Sequence, residues 1–158
     1  MDFQEASSKF KRFIQSEKAR SPETVRAYMS DLEDFRLFLE NTGKLALLKD
    51  LAQIGPSHIR SFVANRFAKI KKISIGRKLA ALKTFFRFLV REGFIRNNPA
   101  VALRAPKLDK PLPRALSVDD VDRFFSRNKD ALKRDFAIFE LIYSSGLRVS
   151  EITSLQIA

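Results

Sequence analysis

A cation and an acid stand three residues apart in the stretch YSSGLRVSEI, which runs from Tyr143 to Ile152. The planar guanidinium of Arg148 can bind two oxygens of one phosphate, and phosphoryl transfer gains most from such fixed positive charge. The Gly turn before Arg148 would place it at a helix N-terminus, which also favours an anion. Alternatively, Arg148 and Glu151 have the i,i+3 spacing of a surface ion pair on a helix, which contributes about 0.2–0.5 kcal/mol. On spacing alone, the anion site and the surface ion pair are equally well supported.

Other kinds of chemical site are poorly represented in the sequence. There is no Cys and a single His58, which excludes thiolate and multi-His metal sites. No Gly-rich phosphate loop occurs, and Ser57-His58 stands where a helix N-cap belongs, so we interpret it as a cap and not as a nucleophile pair. Tyr28 lies on an apolar stripe, and Tyr143 ends an apolar helix, where we expect a packed ring with its hydroxyl at the rim. We expect no metal site.

The net charge of +12 is confined to one segment of the 158-residue chain. Residues 51–110 carry fourteen Lys and Arg against two acids, whereas residues 1–50 and 111–158 are each neutral. Such a concentrated excess is typical of a surface that binds phosphates, because a charge that serves solubility is spread. A membrane surface is less well supported, because the apolar faces look like core. No apolar run approaches the roughly 20 residues of a membrane helix, and a cytoplasmic protein is expected.

Apolar residues recur at helical spacing nearly throughout, and no strand pattern is convincing. The second predicted helix has clear boundaries, with Ser21 as N-cap, Pro22 at the first helical position and Gly43 just beyond the end. We therefore predict an all-α chain. The first predicted helix covers about residues 2–18, the third ends near residue 68, and the fourth covers about residues 74–93. Three more follow, over about 118–127, over about 131–144, and from near Arg148 onward.

The fourth predicted helix has two contrasting faces. Its apolar face carries Ile75, Leu79, Leu82, Phe86 and Leu89. The opposite face carries Arg77, Ala80, Thr84, Arg87 and Arg91. Taken alone, this second face is equally consistent with a solvated surface and with a binding surface. The absence of an acid on this face of the helix and the preceding KIKK loop favour binding, because ordinary surface helices mix the two signs of charge.

A segment rich in proline separates two predicted domains. Three prolines fall within eight residues of the stretch RNNPAVALRAPKLDKPLPRALS, which indicates an extended backbone. We interpret residues 105–116 as a basic linker between a domain of residues 1–104 and one of residues 117–158. Ser117 is the expected N-cap of the second domain, with acids in the turn that follows.

Four stretches together resemble the tyrosine recombinases of the Xer and phage-integrase type. GLRVSEI, preceded by FAIFELIYSS, resembles their first catalytic-arginine motif. SPETVRAYMSDLEDFRLFL is similar to the second helix of their core-binding domain, and SIGRKLAALKTFFRFLVREGFIRNNPA to the fourth. APKLDKPLPRALSVDDVDRFF is similar to their linker and to the opening of the catalytic domain. The order and spacing of these stretches extend the resemblance over essentially the whole chain.

The resemblance implies a SAM-like core-binding domain of four to five helices, a linker and the first helices of a catalytic domain. Such enzymes cut and rejoin DNA through a 3′-phosphotyrosyl intermediate, without a cofactor. Of their catalytic residues only Arg148 matches a position here, and Glu151 matches the neighbouring acid that orients the arginine. The chain looks truncated after this motif and lacks the nucleophilic tyrosine, so we expect these 158 residues to bind DNA and not to cut it.

The resemblance also implies a double-stranded DNA half-site as partner, read by the second and fourth helices, and a homo- or hetero-tetramer of full-length recombinase protomers. The predicted DNA contacts are Lys71, Lys72, Arg77, Thr84, Arg87, Arg91, Arg104, Lys107 and Lys110. Two alternatives stay open. One is a non-catalytic architectural or regulatory DNA-binding protein built on the same domain. The other is an RNA-binding module, for which Phe88 beside the basic face is the candidate stacking aromatic.

Overall fold

A computed structural model describes residues 1–16, 20–67, 69–107, 115–128 and 132–156, and within these residues every regular element is helical. The all-α prediction is confirmed. The helices are α1 (Phe3–Ser16), α2 (Pro22–Asn41), α3 (Leu45–Lys49), α4 (Pro56–Phe67), α5 (Lys72–Arg91), α6 (Val118–Arg127), α7 (Lys133–Ser145) and α8 (Val149–Thr153), with a 3₁₀ turn over Leu51–Gln53. The fourth predicted helix is thus α5, because the short α3 precedes it.

The chain divides into two compact units, Met1–Asp109 and Lys110–Ala158. The division falls inside the segment 105–116 that the sequence suggests as a linker. No described helix is long and apolar enough to cross a membrane.

Local signals set the ends of α2 as the sequence predicts. The Ser21 hydroxyl accepts a hydrogen bond from the backbone N–H of Thr24 at 3.3 Å, and Pro22 occupies the first helical position. Gly43 follows the end of the helix with a φ of 70°, a left-handed conformation that glycine adopts without strain. The N-cap and the glycine terminator of this helix are therefore confirmed.

The start of α4 explains the Ser57-His58 pair. The helix begins at Pro56, and the Nδ1 atom of His58 accepts a hydrogen bond from the backbone N–H of Gly55 at 3.0 Å. His58 therefore satisfies a backbone donor that the helix itself leaves unpaired. The capping interpretation is right in kind, although the accepting atom belongs to the histidine and the helix begins before Ser57.

A phenylalanine-rich core fixes the orientation of α5. Phe10 of α1 meets Phe85 edge-on at 5.4 Å, and Phe35 of α2 meets Phe62 of α4 at 5.1 Å between ring centroids. All five residues of the predicted apolar face of α5 are buried in this core. The apolar side of α5 therefore faces inward, and its basic side is left toward the surface.

Two details of α5 differ from the sequence prediction. The helix begins at Lys72 rather than near Ser74, because the carbonyl of Lys71 accepts the first helical hydrogen bonds, from the N–H groups of Ser74 and Ile75. Phe88 is buried, with 4% of its surface exposed, and it stacks on Phe13 at 5.0 Å. The expectation that Phe88 offers a stacking platform is therefore wrong, since α1 covers that flank of α5.

The second unit is built on a small aromatic cluster. Ser117 and Asp120 cap α6 reciprocally, since each accepts a hydrogen bond from the other's backbone N–H, at 3.1 and 3.3 Å. Phe124 of α6 contacts Phe139 of α7 at 5.1 Å between centroids. None of the described residues of this unit is buried, and Tyr143 is 60% exposed. The Tyr143 ring lies 5.8 Å from the ring of Phe125 between centroids, so the expectation of a packed ring holds for one face only and the rest of the residue is exposed.

Candidate nucleic-acid interface

Arg87 lies on the basic face of α5, between Arg77 and Arg91, and its side chain is exposed. It forms no hydrogen bond or ion pair with any residue that the structure describes. Thr84, one turn earlier, is half-buried, and its hydroxyl donates to the carbonyl of Ala80 at 2.9 Å, so its oxygen lone pairs remain as acceptors. An exposed guanidinium without an acid partner has its full charge available for an anion from outside the chain.

Arg77, which precedes Arg87 by ten residues on the same helix, has a different environment. Its Nη1 atom donates to the Asp31 carboxylate at 2.5 Å and to the carbonyl of Ala27 at 3.2 Å, both on α2. The side chain of Asp31 is completely buried, whereas that of Arg77 is 44% exposed. Arg77 is therefore anchored on one nitrogen while much of its side chain stays at the surface.

Asp31 is the buried member of an ionic network that joins three helices. The ammonium of Lys78 lies 3.0 Å from Asp31 and 3.0 Å from Asp34. The fork of Arg66, on α4, binds both oxygens of Asp34, at 2.5 Å from Nη2 and 3.1 Å from Nε. The argument that no acid faces the basic side of α5 therefore fails at its beginning. The acids come from α2, where the sequence of α5 does not show them.

The charge state of Asp34 follows from the same contacts. Partial burial raises the pKa of this carboxyl, but hydrogen bonds from Arg66 and Lys78 and their positive charges outweigh it, so its pKa lies below the ordinary value. Asp34 therefore stays ionised near neutral pH. It neutralises cations that the sequence counts toward the basic excess of residues 51–110.

At the other end of α5, Arg91 is also engaged. Its guanidinium donates from Nε and Nη2 to the carboxylate of Glu92, at 3.0 and 2.8 Å, and its central carbon lies 4.1 Å from the centroid of the Phe13 ring. Arg91 therefore closes the gap between α5 and α1. Of the three arginines predicted on the basic face, Arg87 lacks such contacts with the described residues.

The remaining predicted contacts lie at the start of α5 and beyond its end. Lys71, which caps the helix through its backbone, and Lys72 are exposed, as are Arg104 and Lys107 after the helix. Lys110 lies outside the described residues. The structure thus collects five of the predicted residues on one helix whose twenty residues span about 30 Å, with Lys71 as its N-cap. Arg104 and Lys107 follow after the helix, outside regular secondary structure.

Arg148 and Glu151 lie in the second unit. Gly146 ends α7 in the left-handed region with a φ of 65°, and Arg148 immediately precedes α8. Glu151 accepts one hydrogen bond from the backbone N–H of Arg148, at 2.7 Å, and another from its Nη1 atom, at 3.1 Å. The side chain of Arg148 is 82% exposed. One carboxylate therefore holds both the backbone and the guanidinium of this arginine.

Asp31 is the functional candidate that sequence reasoning missed. It lies three residues after Tyr28 and four before Phe35, on the same stripe of α2 that builds the core. An acid at a core position needs a buried cation, because an unpaired buried charge costs several kcal/mol. That mismatch between residue type and helical position is the signal that could have found it. No group of three or more His, Asp or Glu that could hold a metal occurs in the described part of the chain.

Comparisons with known proteins agree on one family. Residues 8–93 match the family described as phage integrase, N-terminal SAM-like domain. The tyrosine recombinase XerC of Oceanobacillus iheyensis is 36% identical over 152 residues, that of Thermodesulfovibrio yellowstonii 38% over 152, and that of Alcanivorax borkumensis 39% over 153. Each alignment covers 94% of this chain and 48% of the relative. The chain therefore spans about half the length of the curated relatives it matches.

Two solved structures share the fold. One is a lambda integrase dimer bound to a COC′ core site, with a TM-score of 0.72 and 19% identity over 99% of this chain and 42% of that one. The other is the lambda integrase fragment 75–356, also a dimer on a COC′ core site, with the same TM-score and 21% identity over 94% of this chain and 51% of that one. At such identities the likeness is evidence for the fold alone.

Proposed function

The chain belongs to the phage integrase family through its N-terminal SAM-like domain, and on that premise we propose that it binds one half-site of duplex DNA. It does so as part of a tyrosine recombinase, which cuts and rejoins DNA through a 3′-phosphotyrosyl intermediate. The observation that carries the proposal is the exposed Arg87 at the centre of the basic face of α5, opposite a buried apolar face. A cationic helix face without internal acid partners at its centre matches the polyanionic surface of DNA.

The contacts divide by chemistry. α2 and α5 enter the major groove, where Thr84 and Arg87 reach the edges of bases, and Arg77 contacts the DNA from the first half of α5. Arg91 joins them only by exchanging its Phe13 and Glu92 contacts for DNA. The residues that contact phosphates, and so fix position more than sequence, are Lys71, Lys72, Arg104, Lys107 and Lys110.

The catalytic contribution of the chain rests on Arg148. Its exposed guanidinium stabilises the pentacoordinate phosphate, and Glu151 orients it; the two hydrogen bonds that Glu151 accepts from this residue support that role. The assembly is a homo- or hetero-tetramer of recombinase protomers on DNA in the cytoplasm. The dimers on core sites in the two lambda integrase structures support an assembly of several protomers on DNA.

A second candidate function is non-catalytic DNA binding in an architectural or regulatory role. Neither of the two tyrosines favours chemistry, because Tyr28 is half-buried against the core and Tyr143 lacks the sequence context of the family's nucleophile. Both candidate functions require duplex binding, and covalent capture of DNA by the whole recombinase of which we propose this chain to be a part, not by these 158 residues alone, separates them.

The test of the shared step is a titration of the chain against a duplex and against the matching single strand at several salt concentrations. We expect tighter binding to the duplex and an affinity that falls steeply as salt rises, with a slope of about −0.9 for each phosphate neutralised. Because Phe88 is buried in the core, it offers no platform for bases. A preference for the single strand, or an affinity that salt does not change, would overturn the proposal.

A further inference from the structure

The guanidinium of Arg77 is held at one end only. Both of its recorded hydrogen bonds, to Asp31 and to the carbonyl of Ala27, start from Nη1. Its Nε and Nη2 atoms donate to no described residue, and the side chain is 44% exposed. The edge of the fork formed by Nε–H and Nη2–H is the edge that arginine uses for bidentate binding of two oxygens.

Two other arginines of the first unit, Arg66 and Arg36, use their Nε and Nη2 edge within the chain. Arg66 uses its Nε and Nη2 edge on Asp34, and Arg36 uses the same edge on Glu33, at 2.9 Å for both bonds. Their bidentate edges are therefore occupied within the chain. In Arg77 the acid takes the remaining nitrogen instead, which leaves the bidentate edge for an external anion.

The position of Asp31 makes this arrangement rigid. Its carboxylate is fully buried, and its second oxygen accepts from the ammonium of Lys78 at 3.0 Å. An exposed arginine ordinarily loses side-chain entropy when a ligand fixes it. At Arg77 the chain has already restricted the side chain before a ligand arrives, which favours binding through preorganisation.

We propose that Asp31 is a positioning residue for DNA binding, which anchors Nη1 of Arg77 so that its Nε and Nη2 edge binds two oxygens of one backbone phosphate. The inference rests on the proposed duplex binding and refines the role of Arg77 within it. Arg77 lies less than two turns from Lys71 and Lys72, which are assigned to phosphates, so the start of α5 becomes a phosphate clamp. Lys78 is 13% exposed and held by two acids, so it serves the network and not the DNA.

Whether Asp31→Asn tightens or weakens DNA binding separates a positioning role from a simple effect of charge. Asp31→Asn removes a negative charge near the DNA surface, which by charge alone tightens binding. By positioning, it releases Arg77 and weakens binding to a random-sequence duplex by about tenfold, the lower end of the range for a hydrogen bond to a charged group. Asp34→Asn is the matched control, because it makes the same charge change next to Arg66 and Lys78 and leaves Arg77 anchored. We expect its affinity to be unchanged or higher.

A second variant keeps the inference testable if Asp31→Asn does not fold. Arg77→Lys lies at an exposed position and retains the charge but loses the fork, so we expect a loss similar to that of Asp31→Asn. Arg66→Lys, whose fork is used within the chain, changes the affinity by less than about twofold. The double variant Asp31→Asn with Arg77→Lys binds no more weakly than Arg77→Lys alone, because both changes remove the same contact. A fully additive loss would contradict the positioning role, since general destabilisation does not depend on residue 77.

The same titrations distinguish the two levels of the proposal. A wild-type chain that fails to bind any duplex overturns the proposed function and this inference together. A wild-type chain that binds, with Asp31→Asn or Arg77→Lys binding equally well or more tightly, overturns the role of Asp31 and leaves duplex binding intact. Melting temperatures of each variant confirm that the compared proteins are folded.

Discussion

The guanidinium of Arg91 lies over the ring of Phe13, with 4.1 Å between its central carbon and the ring centroid. This contact ties the last turn of α5 to α1, and the bonds to Glu92 hold the guanidinium in place. The basic face of α5 therefore ends in an arginine that stabilises the fold. Arg87, one turn earlier, has no comparable contact among the described residues.

Stability measurements separate these two arginines. Arg91→Ala lowers the free energy of unfolding by about 1 kcal/mol, because a cation–π contact at a partly exposed site contributes about 0.5–2 kcal/mol. Arg87→Ala changes it by less than about 0.5 kcal/mol, as expected of a surface residue without partners. Urea unfolding followed by far-ultraviolet circular dichroism measures both values, and equal effects would contradict the assignment.

Arg87, which we expect to contribute little to stability, is expected to matter for DNA affinity. Arg87→Glu weakens duplex binding by at least about tenfold at low salt and makes the affinity less dependent on salt, because the altered helix face neutralises less of the phosphate charge and releases fewer counterions. Lys11→Glu, which makes the same charge change on α1 outside the basic segment, is the control and has a smaller effect. Equal losses in the two variants would mean that only net charge matters. An unchanged affinity for Arg87→Glu would remove α5 from the interface.

No covalent protein–DNA adduct is expected from these 158 residues. The family's reaction needs a tyrosine in a defined context, which neither Tyr28 nor Tyr143 has. Incubation with a nicked half-site, followed by denaturing electrophoresis, should show free protein and free DNA only. An adduct band that disappears in a Tyr143→Phe variant would make the chain itself catalytic and refute this expectation.

The aromatic core predicts a large effect of a single buried ring. Phe85 is completely buried and contacts the rings of Phe3, Phe10 and Phe86 at centroid distances between 5.4 and 5.6 Å. Phe85→Ala therefore lowers the free energy of unfolding by about 3–5 kcal/mol. Phe67→Ala, at a position that is 51% exposed, costs about 1 kcal/mol or less. A thermal or urea unfolding series compares the two, and similar losses would contradict the described packing.

The ionic network predicts an acid-sensitive first unit. The pKa of Asp34 in the folded chain lies below its ordinary value of about 3.9, because its bonds to Arg66 and Lys78 outweigh the effect of partial burial. A lowered folded-state pKa stabilises the fold above the unfolded-state value, and this contribution is lost as the pH falls through the folded-state value. We expect the free energy of unfolding to fall below about pH 4, and to fall less steeply in Asp34→Asn. Glu140→Gln, at an exposed position on α7 outside the ionic network, is the control for the loss of a surface carboxylate.

Much of the fold follows from local sequence signals. Ser21, Pro22 and Gly43 bound α2 because caps and terminators act within a few residues of the helix end. The apolar face of α5 is buried as its periodicity predicts. These features can be predicted without knowing which helices pack against each other.

The errors arise where distant helices meet. Phe88 lies beside the basic face of α5, and only the packing of α1, which carries Phe13, shows that this flank is covered. Arg77 looks unpaired until α2 brings Asp31 against it across 46 residues of sequence. Helical periodicity assigns a residue to a face, but the neighbour of that face depends on tertiary packing. An acid on an apolar stripe is the sequence signal that should direct attention to such a pairing.

The placement of the two tyrosines has an optical consequence. The chain has no tryptophan, Tyr28 packs against the core of the first unit, and Tyr143 is largely exposed on α7 of the second. Each compact unit therefore carries one intrinsic fluorophore of its own. Replacing either tyrosine with phenylalanine leaves emission from the other unit alone, so the unfolding of the two units can be followed separately without a label.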